Sequence, residues 1–107
     1  MTQTKEAFKA RVREWAEKLD IEIKTISIRP IKNKWASYTK KSQLLIFNLE
    51  LLEMSKKIGD YVIVHELLHF NVPNHGKLWK SLMLAYLGDY EKIEKRIKMR
   101  CSRDFKE

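Results

Sequence analysis

All three histidines of this 107-residue chain fall in one eleven-residue segment, HELLHFNVPNH, residues 65–75. His65 and His69 are four residues apart, so on an α-helix they share a face and stand about 6 Å apart along the axis. Each can offer one imidazole nitrogen to a single ion. Three protein ligands and one water describe a catalytic zinc, whereas structural zinc takes four protein ligands, mostly cysteines. Cys101 is the only cysteine. One Zn2+ per chain, held by His65, His69 and His75, is therefore expected. Glu66 follows the first histidine and can lie beside the metal without binding it. Zinc lowers the pKa of a bound water to about 7, so a neighbouring carboxylate suffices as general base. The chemistry implied is hydrolysis: Glu66 takes the proton of the zinc-bound water, the hydroxide attacks a carbonyl, and Glu66 returns the proton to the leaving amine.

Such a constellation needs a helix, a break and a return. From Ser55, a plausible cap, Ile58, Val62, His65 and His69 recur along one helical face. Ile63, Val64, Leu67, Leu68 and Phe70 cover much of the remainder, and a helix apolar nearly all round belongs in the middle of its domain. Burying two imidazoles there as mere core residues is costly without strong partners. Pro73 steers Val72 away from helical geometry, and with Asn74 it suits a turn that brings His75 back.

The other elements follow from periodicity. Residues 4–19 predict a helix, with Thr4 as cap, Ala7, Phe8, Val12, Trp15, Ala16 and Leu19 on one side, and Asp20 as the break. In IEIKTISIR the period falls to two, with a slip between Ile23 and Ile26 that reads as a bulge. Pro30 closes this strand. Residues 33–39 and 43–48 predict two more, joined by a polar turn, in the order of an antiparallel meander. Residues 76–87 and 89–99 predict two further helices. The expected fold class is α+β: a small antiparallel three-stranded sheet packed with about four helices, one domain over residues 1–107.

Composition narrows the setting. The hydrophobic fraction is 44%, with eleven aromatic residues, which suits a folded chain. The net charge is +8; it would tolerate nucleic acid as a partner, but a solvated Lys/Glu surface is the simpler reading. No internal disulfide is possible with one cysteine. The charged N-terminus lacks a signal-type apolar core, and no apolar run approaches the roughly 20 residues of a membrane span. The expectation is a cytoplasmic chain with no membrane insertion.

With these residues in view, the chain resembles the minigluzincins and the related YgjP-like and SprT-like zinc metallopeptidases over about residues 29–90. The matching positions are Trp35, Ser37, Asn48, His65, Glu66, His69, Asn74, His75, Trp79, Asp89 and Tyr90. Ala36 and Tyr38 depart from the glycine and cysteine common in relatives. Val72 stands where metzincins have glycine, which argues against that group. The resemblance implies a polypeptide substrate lying as an added strand along an exposed sheet edge, here residues 34–38 with Trp35, Ala36 and Ser37. For Trp35 itself a core role is the simpler reading. Spacing does not identify an oxyanion stabiliser; Tyr90, Tyr86 and Arg96 are candidates, and Tyr90 matches a family position. The resemblance also implies a latent form in which a C-terminal segment, residues 100–107, blocks the metal; in that segment Cys101, Asp104, Glu107 or the terminal carboxylate could take the open zinc position. Self-association is compatible with this reading.

Two other functions compete. Zinc-dependent RNA-processing nucleases share the ten-residue span between first and third histidine but lack the glutamate, so Glu66 discriminates against them. A basic nucleic-acid-associated module with an inactive metal site is disfavoured by the intact histidine–glutamate set.

Overall fold

The computed structural model describes residues 3–32, 34–39, 41–69 and 76–100. Along the chain run α1 (Lys5–Lys18), β1 (Thr25–Arg29), β2 (Ala36–Thr39), β3 (Leu44–Asn48), a 3-10 helix (Leu49–Glu53), α2 (Lys56–Leu68), α3 (Lys77–Leu87) and α4 (Tyr90–Arg100). The α+β class, the strand number and the helix number agree with the sequence reading.

Helix α1 begins where Thr4 Oγ1 accepts the Ala7 amide at 3.0 Å and buries Phe8, Val12 and Ala16 at four-residue steps. Asp20 ends it in the left-handed region, φ 57°. There the Ile21 amide reaches back to the Ala16 carbonyl at 2.8 Å, which satisfies an otherwise orphaned carbonyl. The slip between Ile23 and Ile26 is not a bulge. Ile21 and Ile23 precede the strand, half-buried against the core, and β1 starts at Thr25.

The sheet order is β1-β3-β2, with β1 parallel and β2 antiparallel to β3. The expected all-antiparallel meander is thus corrected to a mixed sheet. The reason lies in the strands: β3, LLIFN, is the most continuously apolar and takes the centre, while the more polar TISIR and ASYT become edges. Asn48 secures this arrangement. Its buried amide donates to the carbonyls of Ile31 and Lys34 at 3.0 and 2.9 Å, and its Oδ1 accepts the Glu50 amide at 3.0 Å. One side chain thereby holds the β1–β2 connection and caps the 3-10 helix.

Ile26, Ile28, Ala36, Leu45 and Phe47 are buried together in the core, and Phe8 of α1 meets Phe47 edge to face at 5.3 Å. Helix α2 lies against α1, β2, α3 and α4, and every residue from Tyr61 to Leu68 is buried. Ser55 caps it as expected, accepting the Ile58 amide at 3.4 Å. Its N-terminal half is fastened to α1 by Arg11, which donates to Asp60 Oδ1 at 2.5 Å, the Lys56 carbonyl at 2.9 Å and Gln3 Oε1 at 2.6 Å.

Candidate active site

The C-terminal half of α2 carries the histidine–glutamate motif. His65 and Glu66 are 1% and 2% exposed; His69, partly exposed, is the C-cap, its amide donating to the Glu66 carbonyl at 3.1 Å. The imidazoles of His65 and His69 lie with ring centroids 4.8 Å apart at 77°, as the one-turn spacing requires. Rings this close can serve a common ion, and an imidazole pair with an adjacent carboxylate suits zinc chemistry. His75, Asn74, Pro73, Val72 and Phe70 lie outside the described residues, as do Cys101, Asp104 and Glu107. Among the described residues no three His, Cys, Asp or Glu side chains converge on a point.

Aromatic rings from three helices surround the imidazoles. Tyr61, one turn before His65, packs on it at 5.7 Å. Trp79 of α3 meets His65 edge to face at 5.1 Å and stacks on His69 at 6.0 Å. Tyr90, which opens α4, meets Trp79 edge to face at 6.0 Å. Tyr61 Oη also donates to Glu94 Oε2 at 2.7 Å, tying α4 to the motif helix. Burial, followed by the negative charges of Glu91 and Glu94, raises the Tyr90 pKa above its usual 10.0, so its hydroxyl keeps its proton and remains a donor.

The other candidates separate. Trp35 and Ala36 are buried in the core while Ser37 is half-buried. Strand β2, to which Ala36 and Ser37 belong, is hydrogen-bonded on one side only among the described residues. Tyr86 and Arg96 instead line a hollow of about 500 Å³ with Trp15, Lys57 and Asp60, beside the N-terminal half of α2. Sequence reasoning missed the Tyr61–Glu94 link. A tyrosine four residues before His65 was the available signal; its partner 33 residues away was not.

Residues 1–100 match the model of the YgjP-like metallopeptidase domain. The chain belongs to the YgjP-like metallopeptidase family. It is accordingly a hydrolase acting on polypeptides. An uncharacterised protein of Methanocaldococcus jannaschii is 32% identical over 77 residues, covering 69% of this chain and 70% of that one. The metallopeptidase zymogen of M. jannaschii jannalysin is similar at 31% identity and TM-score 0.79, covering 87% of this chain and 95% of that chain. The metallopeptidase zymogen of Pyrococcus abyssi abylysin shares the fold at 20% identity and TM-score 0.77, covering 92% and 99%. No helix among the described residues is long and apolar enough to cross a membrane.

Proposed function

We propose that this peptidase works with one zinc ion held by His65, His69 and His75, and that Glu66 is its general base. The observation that carries the reading is the approach of the two imidazoles to 4.8 Å, with Glu66 buried beside them. When bound, the ion would supply Lewis-acid chemistry to a water and to the scissile carbonyl. Glu66 would take the proton of the attacking water and pass it to the leaving amine. Its position in the last full turn of α2 holds the carboxylate against the helix core and away from bulk solvent. Tyr90, kept protonated by burial and by Glu91 and Glu94, is the candidate donor to the developing oxyanion.

The backbone of residues 34–38 is proposed to bind an extended substrate segment. Because Trp35 and Ala36 are core side chains, that contact would run through main-chain groups of the edge strand and through Ser37. The two solved relatives described above are zymogens by name, and here α4 leads from Tyr90, beside the ring cluster, into the C-terminal segment. A segment beginning near residue 100 is therefore proposed to hold the enzyme latent, in a cytoplasmic, reducing setting. The family match favours peptidase chemistry over the RNA-processing and inactive-module alternatives.

Metal analysis and peptide cleavage together test the reading. Wild type should carry one zinc per chain; His69→Ala and His75→Ala should lose it. Glu66→Ala should keep the metal and lose hydrolysis, and a full metal complement in His75→Ala would remove that residue from the ligand set. Truncation after Met99 should raise activity at constant zinc content; unchanged activity would count against latency.

A further inference from the structure

The two imidazoles sit on flexible attachments. A histidine ring turns about χ1 and, more broadly, about χ2, and His69 is the C-cap of α2, where a helix frays most readily. A metal ion arriving at such a pair would have to order both rings. In this structure one side chain from another helix already touches both. The indole of Trp79 is nearly parallel to the His69 ring, at 21°, and nearly perpendicular to the His65 ring, at 82°. The two imidazoles are themselves at 77°, so the three planes form one consistent arrangement.

We propose that Trp79 is a positioning residue of the metal site: a rigid wedge that holds the His65 and His69 rings in convergent orientations before metal binds. The inference rests on the reading of those histidines as ligands. Three features support it. Trp79 is 2% exposed, so its own orientation is locked by packing. Tyr90 braces it from α4 at 6.0 Å. Tyr61 backs the His65 ring from within α2. Groups that fix the orientation of metal ligands tune affinity almost as the ligands do. Trp79 does so through ring packing from α3 onto α2.

The test compares Trp79→Phe and Trp79→Leu with Met83→Val. Met83 lies one turn further along α3, is fully buried, and serves as the control for general packing. Zinc release into excess chelator should be about 10-fold faster in Trp79→Phe and up to about 100-fold faster in Trp79→Leu. The visible spectrum of the cobalt-substituted protein should change in the same order. In peptide cleavage kcat should fall while KM holds. Met83→Val should lower stability and leave zinc release unaltered. Should Trp79→Leu fail to fold, Trp79→Phe decides. Wild-type zinc release and cobalt spectrum in Trp79→Phe would overturn the proposal, as would equal acceleration by Met83→Val. Wild type that binds no zinc would bring down the metal reading and this inference together; wild type that binds zinc, with Trp79→Phe unaffected, brings down this inference alone.

Discussion

The two halves of α2 hold polar groups in different ways. At the N-terminal half, Asp60 is matched by Arg11 and by the Trp15 indole, whose Nε1 donates to Asp60 Oδ1 at 3.1 Å. Arg11 in turn serves three acceptors. Charges there answer one another across α1 and α2, and the result is a fastening. At the C-terminal half, the His65 and His69 rings pack against Tyr61 and Trp79, with Glu66 buried in the same turn. The comparison teaches that one helix can be fastened by charge pairing at one end and by ring packing at the other, two means that constrain side chains differently.

The comparison breaks most sharply in a crossed pair of substitutions. Glu66→Ala should lower peptide hydrolysis by about 10²- to 10⁴-fold with the fold retained. Asp60→Ala should do the reverse, costing about 1–3 kcal/mol in denaturant unfolding with the specific activity of the folded fraction intact. Activity loss in Asp60→Ala at full folding would mean that the halves are not separate.

Tyr61→Phe belongs to the middle of the helix. It deletes a hydrogen bond to the Glu94 carboxylate, worth about 1.5 kcal/mol, and keeps the ring against His65. Stability should fall while zinc release stays at the wild-type rate; faster release would show that the hydroxyl also serves the metal site.

Gly59→Ala probes the fastening. An added Cβ would meet Arg11 Nη2 at 3.2 Å and Phe8 Cε2 at 3.4 Å. Alanine is favoured over glycine within a helix by about 1 kcal/mol, but Arg11 is held by three acceptors and cannot yield freely. A net loss of about 1 kcal/mol is expected, and a gain in urea midpoint would show that the guanidinium shifts easily.

The smallest effect concerns pH. Because the Tyr90 pKa is raised in the native state by burial and by Glu91 and Glu94, the unfolded chain releases that proton first. Stability is intact below the unfolded pKa near 10 and declines as pH rises through it toward the folded value. Tyr90→Phe should lack this decline. In peptide cleavage at neutral pH, a kcat loss in the same variant would mark the hydroxyl as an oxyanion donor, and unchanged kcat would leave Tyr90 as a brace for Trp79.

The helical part of the candidate site was legible because its logic is local. The His65–Glu66–His69 spacing, the Ser55 cap and the apolar run around them depend on residues within a few turns, and the helix appears where that pattern places it. The start of β1 differs for an equally local reason: Ile21 and Ile23 alternate like strand residues but pack, half-buried, in the connection after the α1 cap. The sheet order was not legible, since an alternating pattern specifies which face is buried and not which neighbour pairs.

Sequence by itself determined the α+β composition of elements and the helix that carries the histidine–glutamate motif, because periodicity and residue spacing are properties of a chain segment. Only the tertiary structure decided that β3 lies between β1 and β2, that Arg11 reaches Asp60 across 49 residues, and that Trp79 touches both imidazoles. Those choices depend on which apolar surfaces can cover one another, and that competition is settled only when all the elements pack together.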